Sequence, residues 1–302
     1  MTAPSPLRIL VTGALGQVGW ELQRSLAGLG EITAVDLAEL DIANADAVRA
    51  FIARLRPDVL VNPAAYTAVD KAEAQPDIAM AVNGVAPGVM AEEMAKLGGL
   101  MIHYSTDYVF DGTRQGAWVE EDVPNPLSVY GRTKLAGEQA VRAAGGAHLI
   151  FRTSWVYGLR GGNFMLTMIR LAKERDELRV VADQHGAPTW CRTLAEGTAE
   201  VVRRNWTAGD SRERLRRELS GVYHFTNGGV TTWHGFAQAI VAGAPELADR
   251  RHVKVTPITT ADYPLPAPRP ANSLLDNSRL VRTFGLRQVD WTEALGACLA
   301  DR

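Results

Sequence analysis

The strongest constraint on the fold of this chain lies in its first twenty residues. There an apolar run, Leu7-Arg-Ile-Leu-Val-Thr12, enters a turn with three evenly spaced glycines, Gly13, Gly16 and Gly19. The run suits a strand buried on both faces of a parallel sheet, and Trp20 to Ala27 reads as a helix. In a strand, turn and helix unit each glycine has a mechanical use: a tight turn, close approach of the backbone to a pyrophosphate, and close packing of helix on strand. The phosphate then meets the helix N-terminus, where free N–H groups and the helix dipole favour an anion. The spacing is G-x-x-G-x-x-G and not G-x-G-x-x-G, so the setting carries the reading of a dinucleotide site. The plainer alternative is a glycine turn with no ligand.

Downstream the pattern continues as a doubly wound α/β sheet requires. Strands are expected at Glu31 to Asp36, Pro57 to Asn62, Leu100 to Ser105 and His148 to Thr153, with helices at Ala45 to Arg56, around Lys71 to Gln75, and from Ile78 to Leu97. Asp36, 17 residues after Gly19, can accept hydrogen bonds from an adenosine ribose. No Arg follows closely to clamp a 2′-phosphate, so this residue leans toward NADH; a strand-end Asp capping a turn is the alternative. Asp41 and Ile42 lie where they can approach adenine. Pro63-Ala-Ala-Tyr-Thr67 follows the third strand at the sheet edge where open α/β folds bind ligands.

The second half is expected to contain a helix opened by Gly161-Gly-Asn-Phe164, a strand at Leu178 to Ala182, a helix from Leu194 to Asn205, a late strand at Gly221 to Phe225, and helices at Trp233 to Ala242 and near Thr292 to Leu299. Pro257 to Pro270 contains five prolines, which predicts an extended surface segment that is not helix. Ser211 to Leu219 mixes Arg and Glu at helical spacing and reads as a solvated face.

At 302 residues the chain can bury a sizeable core, and 46% hydrophobic with 22% charged residues is ordinary for a globular protein. A net charge of -2 gives no basic field, which argues against nucleic acid or an anionic membrane as partner. Cys191 and Cys298 have no Cys or His at metal spacing and are expected to be reduced core thiols of a cytoplasmic protein. No secretory leader is read at the N-terminus, and nowhere do about 18 apolar residues run together as a membrane span needs.

Tyr130-Gly-Arg-Thr-Lys134 places a phenol and an ammonium four residues apart, hence on one face of a helix. A cation near a phenol favours phenolate and draws its pKa down from roughly 10, which suits an acid or base. A lone Y-x-x-x-K is also what a surface Lys over a half-buried Tyr looks like. Thr106 and Asp107, delivered at the end of the fourth strand, put a hydroxyl where it can bond a reacting carbonyl; a Ser/Thr/Asp turn is the alternative.

The glycine turn, the strand ending in Ser105-Thr106, and the Tyr and Lys of the next helix together resemble the extended short-chain dehydrogenase/reductase superfamily. Further stretches resemble one member family, the dTDP-4-dehydrorhamnose reductases: Gly16-Gln-Val-Gly-Trp-Glu-Leu22, the run from Asn62 to Glu73, Ser105-Thr-Asp-Tyr-Val-Phe-Asp-Gly112, Arg152-Thr-Ser-Trp-Val-Tyr-Gly158, Asp183-Gln-His-Gly-Ala-Pro-Thr189 and Arg269-Pro-Ala-Asn-Ser273. The resemblance extends from about Leu7 to the end. It implies a Rossmann domain over residues 1–154, with a returning segment at about 190–228, and a smaller α/β lobe over 155–302 that mainly binds substrate.

The resemblance also implies roles at matching positions. Thr106, Tyr130 and Lys134 are the implied catalytic triad. Gly16, Gln17, Val18, Asp36, Asp41, Ile42, Ala64, Ala65, Tyr66, Tyr104, Tyr130 and Lys134 are implied to touch NADPH or NADH, beside Gly13 and Gly19 of the turn. Thr67, Asp107, Tyr108, Trp155 and Asn163 are implied to face a nucleotide sugar, with Thr106 and Tyr130. On residue type alone Trp155 fits a domain-seam tryptophan equally. The implied reaction is reduction of the C4 ketone of dTDP-4-dehydro-β-L-rhamnose by a monomer or homodimer. A 4,6-dehydratase or epimerase is the nearest rival, and a non-catalytic, cofactor-binding regulatory subunit is the rival from another class.

Two departures stand out. Pro63 replaces a usual Ala and removes a backbone donor near the cofactor. Some family members carry magnesium at a dimer interface, held by an acid in the first helix and another after the Pro-Thr. Glu21 matches the first, but Trp190-Cys191-Arg192 follows Pro188-Thr189 here, so no metal is expected.

Overall fold

Side chains alternating between two apolar layers build the central sheet. In the computed structural model, which describes residues 6–207 and 209–302, the strands are β1 (Leu7–Thr12), β2 (Gly30–Val35), β3 (Val59–Asn62), β4 (Leu100–Thr106), β5 (Ala147–Thr153) and the late strand Gly221–His224. Their order is Gly221–His224, β5, β4, β3, β1, β2, and every neighbouring pair is parallel. Ile9, Val11, Val61, Ile102, Leu149 and Phe151 pack in one layer with Leu22, Leu194, Val202 and Trp206. Their neighbours Leu10, Leu60, Met101 and Ile150 pack in the other with Val48, Ile52, Met90 and Met94. Burial on both faces explains the uninterrupted apolar runs, and each fully buried aliphatic side chain contributes about 1.5–3 kcal/mol. The fold is a Rossmann-type doubly wound α/β sheet, and its strand order reverses at β1, between β2 and β3.

A second core lies beyond β5. Met165 and Ile169 of the helix Phe164–Glu174, Leu178 and Val180 of the strand Glu177–Val181, Phe236 and Ile240 of the helix Trp233–Gly243, and Leu295 and Leu299 of the helix Trp291–Ala300 close around one another. Cys191 and Cys298 are free and buried in it, and burial pushes both thiols up to about 12. Among the described residues no helix is long and apolar enough to cross a membrane.

Some expectations need correcting. The stretch read as one helix from Ile78 to Leu97 is Pro76–Met80, a π turn Ala81–Val85, and Ala86–Leu97. Pro87 has no N–H to give the carbonyl of Asn83, and its ring crowds that carbonyl, so the ladder widens there. The proline-rich segment is not uniformly extended surface. Pro257 sits within the strand Lys254–Ile258, parallel to Glu177–Val181, and a 3₁₀ turn, Thr260–Asp262, follows. In a two-stranded ribbon each strand keeps a free edge, where a residue without N–H is tolerated. A helix at Ser278–Phe284 was not foreseen. The leader reading concerns residues 1–5, which lie outside the described residues.

Candidate active site

The crevice at the sheet reversal is a cavity of about 660 Å³, and the glycine turn forms one wall. Gly13 has φ +60°, and a Cβ there would meet Ala64 Cα at 3.0 Å; at Gly19 a Cβ would lie 2.0 Å from the Gly13 carbonyl oxygen. Only glycine permits this approach. The helix Gln17–Leu26 begins at Gly16 with no side-chain cap, so its first N–H groups remain available to an anion. Asp36, just past β2, accepts hydrogen bonds from Leu15 N and Leu37 N, each at 2.8 Å, which holds its carboxylate beside the turn. Such a cradle, with an acid at the second strand, fits a dinucleotide.

The helix Val129–Ala143 brings the phenol and the ammonium to the same cavity. Ser128 Oγ caps it by accepting from Gly131 N at 3.1 Å, and Glu73 Oε1 accepts from Val129 N at 2.7 Å. At Gly131 a Cβ would fall 2.2 Å from the Tyr108 carbonyl oxygen, so a glycine is needed for the first turn to seat against the segment after β4. Tyr108 and Tyr130 meet edge to face with centroids 5.4 Å apart.

Burial dominates the electrostatics. The Tyr130 ring is half-buried in the cavity wall, and loss of water pushes its phenol up to about 12, while a hydrogen bond with Thr106 pulls it back. The lowering expected from Lys134 is not what governs this phenol: burial raises it, Thr106 pulls it back, and the nearby Asp107 raises it further. Lys134 is buried with Nζ donating to the Tyr104 carbonyl at 2.6 Å and lying 3.4 Å from His103 Nε2. Burial brings its ammonium down to about 8 against an opposing pull from Glu138. Glu138 is itself clamped by Arg152 at 2.9 and 2.7 Å and accepts from Ser105 Oγ at 2.5 Å. Asp107 accepts from Thr106 Oγ1 at 3.0 Å, and burial raises its carboxyl to about 6 although hydroxyls of Ser273 and Thr106 pull it down.

The cavity is lined by Gly13, Gly16, Gln17, Val18, Gly19, Asp36, Ala64, Ala65, Thr67, Tyr104, Thr106, Asp107, Tyr108, Tyr130, Lys134 and Trp155. Pro63, the unusual proline, also lines it. Four residues expected at the site do not line it. Asp41 accepts from Ala43 N at 2.9 Å in its own turn, Ile42 packs on the core layer of Val48 and Ile52, and Tyr66 gives its hydroxyl to Gln75 at 2.5 Å. Asn163 caps the helix Phe164–Glu174, accepting from Leu166 N at 3.0 Å, while its amide donates to Gln17 Oε1 at 3.0 Å and Gly158 O at 2.9 Å. Its side chain is thus committed to linking that helix with the glycine turn. Among the lining residues that the sequence reading did not place at the site are Thr153 and Ser154, whose buried hydroxyls have no hydrogen-bond partner among the described residues. Their signal was position, since Thr153 pairs with Thr106 at the C-terminal edge of the sheet.

Magnesium does not fit at Glu21. Arg192 Nε lies 3.2 Å from Glu21 Oε2, and the same guanidinium bonds Asp301, so a protein cation already occupies the carboxylate. Among the described residues no cluster of three His, Cys, Asp or Glu side chains is placed to hold a metal.

The RmlD substrate-binding domain model matches residues 7–302. A dTDP-4-dehydrorhamnose reductase of Burkholderia thailandensis is 50% identical over 299 residues, 98% of this chain and 99% of that one. Among solved structures, the dTDP-4-dehydrorhamnose reductase of Clostridium acetobutylicum superposes with a TM-score of 0.88 at 40% identity, covering 97% of this chain and 99% of that one. The Bacillus anthracis enzyme of that name, solved in complex with NADP, gives 0.87 at 35% identity, covering 98% and 100%. With a parallel sheet, a glycine cradle and this likeness along nearly all its length, the chain belongs to the RmlD substrate-binding domain family, the family of the dTDP-4-dehydrorhamnose reductases.

Proposed function

We propose that this chain reduces the C4 ketone of dTDP-4-dehydro-β-L-rhamnose to give dTDP-L-rhamnose, in the cytoplasm, as a step of dTDP-rhamnose biosynthesis. The observation that carries the reading is the meeting of Thr106, Tyr130 and Lys134 in the cavity that also holds the glycine cradle. The name carried by relatives at 35–50% identity supports the substrate.

Bound NADH or NADPH supplies the hydride. In this reading the glycine turn from Gly13 to Gly19, with the N–H groups of Gln17, Val18 and Gly19 in the first turn of its helix, holds the pyrophosphate, Asp36 takes the adenosine ribose, and Ala64, Ala65, Tyr104 and Lys134 complete the cofactor site. Thr67, Asp107, Tyr108 and Trp155 serve the sugar nucleotide, and Asn163 acts by bracing Gln17 of the glycine turn. Residues 1–154, with about 190–228, form the cofactor domain, and 155–302 mainly the substrate lobe.

Tyr130, with its phenol pushed up to about 12, is protonated at neutral pH and ready to donate. It gives its proton to the C4 oxygen as negative charge develops there, and Thr106 orients that oxygen by a hydrogen bond. Lys134 in its charged form favours the phenolate left behind.

The test is to follow absorbance of the reduced coenzyme while purified protein is offered a panel of nucleotide-linked 4-keto sugars. Stoichiometric oxidation with the dTDP-4-keto-6-deoxy sugar is expected. Turnover without net coenzyme consumption would indicate a dehydratase or epimerase, and no turnover would reject catalysis.

A further inference from the structure

Trp155 and Arg56 are the non-glycine residues of the described chain with positive φ, and Trp155, at φ +50°, lines the cavity. A bulky side chain is disfavoured in the left-handed region, so it stays there only if its surroundings over-determine it. Three contacts do so. The Trp155 carbonyl accepts from Thr189 N at 3.1 Å. The indole edge lies against Gly186, where an added Cβ would come within 2.7 Å of Cε2. Its face stacks on Trp233 with centroids 3.7 Å apart and planes 12° from parallel.

Trp233 itself does not line the cavity. It opens the helix Trp233–Gly243, tilts on Phe164 at 4.6 Å, and packs on the second core that contains the fully buried Phe236. Anything it does at the site passes through Trp155. We propose that Trp233 is a positioning residue: its stack holds Trp155 in the left-handed conformation, so that the second core sets the angle of one cavity wall before substrate arrives. Pre-organisation of this kind raises affinity because the ordering cost is met in folding and not in binding. Only the identity of the bound sugar nucleotide rests on the function proposed above.

The experiment uses the full chain labelled with 5-fluorotryptophan, whose Trp155 resonance is assigned by its loss in Trp155→Phe. In Trp233→Ala the Trp155 fluorine signal is expected to move and broaden as the ring samples several orientations. KM for the dTDP-4-keto sugar should rise about tenfold, the scale of one aromatic contact, with kcat within about twofold and coenzyme affinity retained; Trp233→Phe, which keeps a stacking face, should recover most of the loss. An unmoved Trp155 signal, or a wild-type KM in folded Trp233→Ala, overturns the proposal. If Trp233→Ala does not fold, Trp233→Leu, which fills space without a planar face, is judged by the same two readouts. A wild-type protein without turnover would reject the proposed function, and the fluorine signal alone would then decide the positioning.

Discussion

Tyr130, Lys134 and Asp107 are titratable groups partly or wholly removed from water, and in each case the neutral form gains: the phenol goes up to about 12, the ammonium down to about 8 and the carboxyl up to about 6. The spacing of Tyr130 and Lys134 could be read from the chain, because four residues are one helical turn. The direction of the phenol shift could not, since it depends on how much water the folded cavity admits. Tyr130→Phe removes the proton donor and is expected to lower kcat by ~100 to 10,000-fold, with coenzyme binding retained; unchanged turnover would reject its role. Asp107 titrates near the working pH, so kcat/KM should show a limb around pH 6. In Asp107→Asn that limb should vanish, and its persistence would assign it to another group.

At the scale of elements, the helix Val129–Ala143 is seated by close contacts that a sequence pattern does not announce. At Gly137 a Cβ would lie 2.2 Å from the carbonyl oxygen of Asn83, the one that Pro87 leaves without its helical partner. Gly137→Ala must push the helix away and is expected to cost about 1–3 kcal/mol of stability, while lowering kcat because Tyr130 and Lys134 move with it. Gly296 is a control of opposite sign. It lies in the helix Trp291–Ala300, and a Cβ there meets nothing within 4 Å. Gly296→Ala should stabilise by about 0.4–1 kcal/mol through the unfolded chain. Denaturant unfolding of the two variants checks both signs. The strand and helix order was legible because each buried strand is an apolar run. The π turn and the bond from Asn163 to Gln17 were not, since that bond joins residues 146 apart in the chain.

Over the whole molecule, burial makes stability depend on acid. His103 is held well below 6.5 by burial and the nearby Lys134, and His224 falls to about 3 by burial and the nearby Arg152. Because both folded pKa values are depressed, the unfolded chain binds more protons below pH 6.5, and stability falls as pH drops through that window toward 3. Each group contributes up to about 1.4 kcal/mol per pH unit. Asp107 acts in the opposite sense between about 6 and 3.8, where the folded state holds the extra proton, and so does Glu120, whose carboxyl burial raises, but His148, lowered by burial, adds to His103 and His224 on the other side. Urea unfolding at pH 7 and pH 5 should show the loss, and His224→Gln should flatten it; an equal slope in the variant would exclude His224. What the sequence determined by itself was local: apolar runs for strands, glycines where backbone must approach backbone, and a phenol and an ammonium one turn apart. Only the tertiary structure decided that Arg192 occupies Glu21, that Trp233 braces Trp155, and that the site's ionisable groups lean toward neutrality. These depend on residues distant in the chain and on water excluded by the whole fold, and neither is written in any short stretch.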